Sequence, residues 1–180
     1  MTRLHLPSRR RFLLAALLLT AATLTGVSVQ APPAHALQLQ RLRSWWSQDR
    51  GDNFATGTPD QEASARSAGY RELRTEAWLW PGPGDNTYVE LYLFWDPVRQ
   101  DNFSTATREG VDSAISAGYQ YIGVQGWVRG TYAPGTQALY QYWSAERGDN
   151  FLTATPAGIR DANAAGYKYV RVEGYVYPYP

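Results

Sequence analysis

The sequence predicts an α+β fold in which three tandem ββαβ-like repeats close into one pseudo-threefold domain. The first observation is a unit of about 48 residues that recurs three times, at about 37–83, 84–132 and 133–180. The second is that each unit reads as two short strands, a capped helix and a longer alternating strand. The third is that length changes fall only in the Gly- and Pro-rich linkers 81–87 and 130–137. An open solenoid competes with this arrangement, but three copies without polar capping units favour closure.

The same residue types recur at the same positions of each unit. A tryptophan opens the pattern, an Asp-Asn-Phe triplet follows, and an Ala-Gly-Tyr triplet comes later. The columns are Trp46, Trp95 and Trp143; Asp52, Asp101 and Asp149; Phe54, Phe103 and Phe151; and Gly69, Gly118 and Gly166. We interpret these columns as the structural motif of the repeat, because every copy needs them in order to fold.

Short aromatic and β-branched runs predict the first strands of the units. Residues 89–95 and 138–143 are clear examples, whereas residues 42–46 form a less regular copy. A second short extended piece is expected around residues 102–105. The third strands are expected at residues 119–128 and 167–177, where apolar and polar residues alternate.

Each helix has a start and a stop signal in the sequence. Thr58 and Thr155 suit the N-cap position, and each precedes a proline at the first helical position. Gln61 lies three residues after Thr58 and predicts a capping box. About ten residues later the glycines of the Ala-Gly-Tyr triplets suit the left-handed position that ends a helix.

The first 36 residues read as an export signal rather than as part of the fold. A positive segment precedes the uncharged residues 12–29, and Ala34-His35-Ala36 supplies small residues for cleavage. Residues 8–13 resemble a twin-arginine signal, with an ordinary Sec signal as the alternative. We therefore expect one monomeric domain at 37–180, secreted or in the periplasm or cell envelope, without membrane insertion.

Composition narrows the chemistry that this domain can perform. Four of the 17 basic residues lie in the signal, so 13 remain against 16 acidic residues, a net charge of −3. That balance disfavours nucleic acid and anionic membranes. Both histidines and the single methionine also lie in the signal, and the chain has no cysteine. Imidazole and thiolate catalysis are thus excluded, and we expect no cofactor and no metal site, although carboxylate chemistry and oxygen-ligated calcium stay possible.

The repeat resembles a family of unassigned function found in exported bacterial and some fungal proteins. Two of the copies carry the resemblance, through Leu91-Tyr92, residues 101–105, Ala117-Gly118-Tyr119 and Gly126-Trp127-Val128, and through Leu139-Tyr140, residues 149–153, 165–167 and Glu173-Gly174-Tyr175. The chain departs from the family by placing asparagine where histidine is common. The resemblance implies a secreted accessory module, found alongside hydrolases and lectin-like proteins, with no established activity.

The Asp-Asn-Phe triplet admits two interpretations. It could form a sugar site, since polar groups beside an aromatic ring suit hydroxyls and a flat sugar face. It could equally be a turn anchor, in which the aspartate accepts backbone N–H groups and pairs with the arginine two residues earlier. We assign Asp and Phe to structure and expect ligand contacts from the asparagines and from the tryptophans outside the repeat column: Asn53, Asn102, Asn150, Trp45, Trp78, Trp80 and Trp127.

These observations favour a non-catalytic binding module for glycan or cell-wall polysaccharide. The alternative is a module that binds another envelope protein or has a structural role, since an aromatic-rich surface also suits a protein partner. A carboxylate-dependent glycosidase is the weaker third possibility, because no pair of carboxylates stands apart from the repeat. We therefore expect no catalytic residue.

Overall fold

A computed structural model describes residues 38–180, in which the order strand, strand, helix, strand occurs three times. The first repeat contains β1 (Gln40–Ser47), β2 (Asp52–Thr56), α1 (Pro59–Ser67) and β3 (Arg71–Leu79). The second contains β4 (Tyr88–Asp96), β5 (Asp101–Thr105), α2 (Arg108–Ser116) and β6 (Gln120–Arg129). The third contains β7 (Gln137–Ser144), β8 (Asp149–Thr153), α3 (Pro156–Ala164) and β9 (Lys168–Pro178). The predicted export signal, its cleavage site and the twin-arginine motif lie outside the described residues.

The expected fold class, three closed ββαβ units of α+β type, is wrong. The nine strands form one antiparallel sheet in the order β2-β1-β3-β9-β6-β4-β5, with β7 paired to β8 and β9. The helices are only nine residues each, so the protein is mainly antiparallel β structure. Repeat counting did not reveal this sheet, because pairing between repeats leaves no periodicity in the sequence.

The sheet is continuous because the third strands of the repeats meet edge to edge near their carboxyl ends. Trp78 of β3 pairs with Tyr177 of β9, and Arg129 of β6 pairs with Tyr175 of the same strand. This pairing satisfies backbone groups that three separate sheets would leave open at their edges. Each first strand stays central in its own repeat, as β4 does between β5 and β6.

The main hydrophobic core lies where residues of all three repeats meet. Three leucines from the first strands are fully buried there, with aliphatic residues from the third strands around them: Leu42, Leu91, Leu139, Leu79, Val128 and Val176. Each repeat adds a smaller cluster beneath its helix, such as Phe103, Ala114 and Tyr119 in the second repeat. The short helices thus cover the sheet with small alanine side chains and leave most of the buried area to the strands.

The predicted helix starts are confirmed. Thr58 Oγ1 accepts a hydrogen bond from the backbone N–H of Gln61 at 3.3 Å, and Thr155 does the same for Gly158 at 3.1 Å. The side chain of Gln61 differs slightly from a capping box, because its Oε1 accepts from Gly57, the residue before the cap, at 2.9 Å. No helix within residues 38–180 combines the length and hydropathy needed to cross a membrane.

The predicted helix ends are confirmed as well, and they position the tyrosine of each repeat. Gly69 adopts φ +80, donates to Arg66 O at 3.1 Å, and is followed by Tyr70, which donates to Ala65 O at 3.0 Å. This is the Schellman arrangement of a helix terminus. The same bonds occur after the other helices, so the tyrosine always enters the third strand at the same point.

Candidate functional site

Three buried aspartates meet where the second strands begin. Asp52, Asp101 and Asp149 are only 1–2% exposed, and each offers a carboxylate oxygen within 4.8 Å of the others. We call these three residues the aspartate triad. Because each aspartate opens a short strand that pairs along its whole length with the first strand of its own repeat, its backbone is held in place by that hairpin.

Each triad carboxylate accepts hydrogen bonds from the asparagine of another repeat. Asp52 Oδ1 accepts from the backbone N–H of Asn102 at 3.0 Å, and its Oδ2 accepts from Asn102 Nδ2 at 2.8 Å. Asp101 holds Asn150 in the same way, at 3.0 and 2.8 Å. The aspartate therefore does accept a backbone amide, as the turn-anchor interpretation expected, but the amide belongs to a different repeat.

The tyrosine at each helix end completes the contact. Tyr70 Oη donates to Asp52 Oδ2 and accepts from Asn102 Nδ2 at 3.2 Å. Arg50 does not pair with Asp52 as expected; its guanidinium lies over the ring of Tyr70, 5.6 Å from the centroid. The equivalent bonds and stacked arginines recur in the other repeats, at Tyr119 and Arg99 and at Tyr167 and Arg147.

Burial dominates the electrostatics of the triad. Desolvation, reinforced by the neighbouring carboxylates, raises the pKa of Asp52 to about 10 and that of Asp149 to about 7. Desolvation and the adjacent Asp52 also raise the pKa of the Tyr70 phenol above its ordinary value. At neutral pH the triad therefore carries fewer than three negative charges, because like charges this close in a dry site oppose ionisation.

Among residues 38–180, the triad is the group whose oxygens lie close enough together to hold a metal ion. A cation there would have to compete with the Asn and Tyr donors that already engage both oxygens of each carboxylate. We therefore assign the triad to the fold, where it joins the three repeats.

Above each Asp–Asn contact lies an open cleft between two repeats. The first cleft, of about 370 Å³, is lined by Arg50 and Tyr70 of the first repeat and Trp95 and Asn102 of the second. The second cleft, of about 340 Å³, has Arg99 and Tyr119 opposite Trp143 and Asn150. The third cleft, of about 390 Å³, has Arg147 and Tyr167 opposite Trp46 and Asn53. Each cleft thus presents the same four residue types, contributed by two repeats.

The tryptophans of the repeat column belong to these clefts rather than to the core. Trp46, Trp95 and Trp143 are half-buried, whereas Trp45, expected at the surface, is 2% exposed and donates to Thr56 Oγ1 at 2.8 Å. Successive side chains of a strand point to opposite faces, so only one of two adjacent tryptophans can face outward. A signal was available, because the position of Trp45 holds Phe94 and Tyr142 in the other copies. Any aromatic ring fills the core there, but the cleft position is always tryptophan.

The other residues expected to contact a ligand are divided between the Asp–Asn contacts and the ends of the third strands. Asn53 and Asn102 are buried, at 7% and 9% exposure, and their Nδ2 groups are occupied by the Asp–Tyr pair. Asn150 is half-buried, and its Oδ1 also accepts from Gln141 Nε2 at 2.9 Å. Within the described chain, the other three tryptophans line none of these clefts. They lie half-buried near the ends of the third strands: Trp78, Trp80 and Trp127.

Aromatic packing at that end of the sheet joins the linkers and the carboxyl terminus. Trp80 stacks on Tyr88 with ring centroids 5.5 Å apart, and Trp78 packs against Tyr179 at 5.2 Å. Trp80 and Trp127 exchange backbone hydrogen bonds of 3.0 and 2.9 Å. These rings therefore hold the ends of β3, β6 and β9 together.

Comparison with known proteins gives one assignment. No curated protein and no solved structure matches the chain. A family model described as Domain of unknown function (DUF5648) matches residues 41–177, nearly the whole of the described chain. The chain therefore belongs to this family, whose function is unassigned.

Proposed function

We propose that this protein is an exported, non-catalytic module that binds glycan or cell-wall polysaccharide through its three clefts. The observation that carries the proposal is the composition of each cleft: a half-exposed indole faces an exposed arginine across a floor of asparagine and tyrosine. A flat indole suits the C–H face of a sugar ring, and guanidinium N–H groups suit its hydroxyls.

The rigidity of the clefts supports binding. Arg99 is held over Tyr119 and lies 3.5 Å from Asp96, so its guanidinium is positioned before a ligand arrives. The Asp101–Asn150 contact beneath Trp143 is partly buried and joins the two walls of the second cleft. Prepositioned side chains lose less conformational entropy on binding, which favours affinity.

The number and size of the clefts suit a polymer. Volumes of 340–390 Å³ lie at the small end of ligand pockets, so each cleft suits a short part of a glycan. Weak single contacts gain avidity when one chain or one insoluble surface engages several equivalent sites.

Binding of another envelope protein is the second candidate, and exposed apolar side chains favour it. Tyr121 and Ile122 of β6 are 57% and 53% exposed, and Tyr169 and Val170 of β9 are 56% and 42% exposed. Exposed pairs of this kind suit a protein contact. The triad gives no support to a glycosidase, because its carboxylates are buried and already hydrogen-bonded.

The proposal is tested by retention of the protein on insoluble chitin, peptidoglycan, cellulose and α-glucan. We expect retention on at least one polymer, stepwise weakening as Trp46→Ala, Trp95→Ala and Trp143→Ala are combined, and little effect of Trp127→Ala, the matched aromatic control. Circular dichroism checks that each variant folds. Absence of retention on all four polymers would reject glycan binding, and loss caused by Trp127→Ala alone would move the site to the other end of the sheet.

A further inference from the structure

One difference between the three clefts involves a strand position and a helix position together. The third strands carry Arg74, Gly123 and Arg171 two residues before the buried Glu76, Gln125 and Glu173. The helices carry Ser64, Ser113 and Asp161 at their equivalent positions, and these line the first, second and third clefts. Arg171 lines the second cleft together with Ser113, and Arg74 is bonded to Asp161 of the third cleft. The corresponding positions of the first cleft, by the repeat, are Gly123 and Ser64.

In the third cleft the strand arginine is fully paired. Arg74 Nη1 lies 3.3 Å from Glu76 Oε1, and its Nη2 is bonded to Asp161 Oδ2. The charge of this guanidinium is therefore neutralised by two carboxylates of the protein.

In the second cleft the equivalent arginine lacks its second partner. Arg171 Nε donates to Glu173 Oε1 at 2.6 Å, but Nη2 is buried without an acceptor within the described chain. Ser113 stands where the third cleft has Asp161, and serine is too short to supply a carboxylate. Glu173 does not depend on Arg171 alone, since its Oε2 also accepts from Thr105 Oγ1 at 2.7 Å and from the amide of Ala106 at 3.0 Å.

The formal charges of the cleft walls differ accordingly. The second cleft is lined by Arg99 and Arg171, and none of its lining residues in the described chain is a carboxylate; the paired carboxylates lie behind the lining, Asp96 at 3.5 Å from Arg99 and Glu173 at 2.6 Å from Arg171. The lining of the first cleft contains Asp60 besides Arg50, and that of the third contains Arg147 and Asp161, the latter bonded to Arg74. A cleft lined by two arginines and no carboxylate is a local feature in a domain of net charge −3, not a consequence of composition.

We propose that the second cleft selects a sugar that carries a carboxylate, with Arg171 and Arg99 as its binding residues. This inference rests on the proposed glycan-binding function and adds the ligand class of one cleft. The ligand carboxylate takes toward Arg171 the place that Asp161 takes toward Arg74. Planar guanidinium groups bind carboxylates through charge-assisted hydrogen bonds. The side chain of Arg171 is 22% exposed as a whole, and its buried Nη2 reaches a ligand only if the guanidinium turns toward the cleft.

Glucuronic acid and glucose are suitable probes, because they differ only in the carboxylate at C6. The readout is the NMR signal of the indole N–H of Trp46, Trp95 and Trp143, assigned by single Trp→Phe variants, so each cleft reports separately. We expect glucuronic acid to bind at Trp143 about tenfold more tightly than glucose, the size of one added charge-assisted hydrogen bond. Trp46 and Trp95 should show no such preference.

Two reciprocal substitutions test the role of the unpaired arginine. Ser113→Asp supplies the missing carboxylate and should abolish the preference for glucuronic acid at Trp143. Asp161→Ser frees Arg74 and should create a preference for the acid at Trp46. Ser64→Asp is the matched control, since it adds the same charge to a cleft whose strand position is Gly123, and it should leave Trp143 unaffected.

Equal binding of both sugars at Trp143, or a preference that survives Ser113→Asp, would overturn the inference while leaving glycan binding intact. If neither sugar perturbs any cleft tryptophan, the preference for a uronic acid is overturned, and retention on the insoluble polymers decides separately about glycan binding. A titration with acetate then decides about the anion site: a response at Trp143 that Ser113→Asp removes supports a carboxylate site without a sugar, and no response rejects it.

Discussion

The backbone N–H of Asn53 lies 3.0 Å from Asp149 Oδ1, and its side-chain nitrogen lies 2.7 Å from Oδ2, although 96 residues separate the two in sequence. This contact joins the third repeat to the first. Together with the equivalent contacts between the first and second and between the second and third repeats, it completes a cycle. The floor of every cleft is one such contact, so the parts of the molecule that hold the repeats together also shape the candidate site.

Removal of one triad carboxylate should destabilise the whole domain. In Asp149→Ala, both amide donors of Asn53 and the hydroxyl of Tyr167 lose their buried acceptor, at an expected cost of about 3–5 kcal/mol in the free energy of unfolding. Urea denaturation measures this cost. Asp112→Ala is the control, because its side chain is 68% exposed and its loss should change stability by less than about 0.5 kcal/mol. A similar effect of both variants would contradict the structural role of the triad.

The triad should make the protein less stable as the pH rises. Burial holds the pKa of Asp149 at about 7 and that of Asp52 at about 10, above the ordinary value of 3.8, so the folded state binds more protons than the unfolded chain. This contribution is fully present below about pH 4 and is lost as the pH rises through 7 and towards 10, by at most about 1.4 kcal/mol per pH unit for each group. We expect Tm to fall between pH 5 and pH 9.

Asp52→Asn separates this effect from the other titrating groups. The amide cannot ionise, so the fall in Tm at alkaline pH should be shallower than in the parent protein, whereas the exposed Asp112→Asn should leave the slope unchanged. An unaltered slope in Asp52→Asn would show that Asp52 is already ionised at neutral pH.

The third prediction concerns Gln125, a buried side chain whose amide group faces two hydrogen-bond acceptors. Gln125 Nε2 donates to Ala55 O at 2.5 Å and lies 3.3 Å from Gln61 Oε1, so Gln125→Glu would place a carboxylate against two acceptors. We expect a loss of about 2–4 kcal/mol in the free energy of unfolding. Gln61→Gly should relieve part of it, because the amide of Gly57 then becomes free to bind the new carboxylate as the amide of Ala106 binds Glu173.

A double-mutant cycle of Gln61→Gly and Gln125→Glu measures this coupling, expected to be at least about 1 kcal/mol in the stabilising direction. Additive effects of the two substitutions on the free energy of unfolding would mean that positions 61 and 125 do not interact.

Two glycines of the second repeat should respond differently to alanine. Gly118 has φ +87 with nothing within 4 Å of an added Cβ, so Gly118→Ala should cost only the left-handed backbone strain of about 1–2 kcal/mol. A Cβ on Gly110 would lie 1.7 Å from Thr105 Oγ1, which binds Glu173, so Gly110→Ala should cost more than about 3 kcal/mol. Urea denaturation ranks the two, and the reverse order would contradict the packing around helix α2.

Local signals in the sequence were sufficient for some elements and misleading for others. The Thr58 cap and the Gly69 terminus follow from hydrogen bonds between residues a few positions apart, and both predictions are confirmed. The expectation that Trp45 contacts a ligand is wrong, because alternation states only that two neighbours point in opposite directions and not which of them is buried. Comparison with Phe94 of the second copy would have identified the buried member.

The sequence by itself determined that this chain is a threefold repeat, where its helices begin and end, and which residues every copy shares. These properties depend on short-range backbone hydrogen bonds and on the period of the pattern, which a single chain displays directly. The tertiary structure alone decided that nine strands join in one sheet, that Asp149 binds Asn53, and that Arg171 lacks the partner that Arg74 has. Those relationships join side chains from different repeats, and their energies depend on burial and orientation, which the order of residues does not specify.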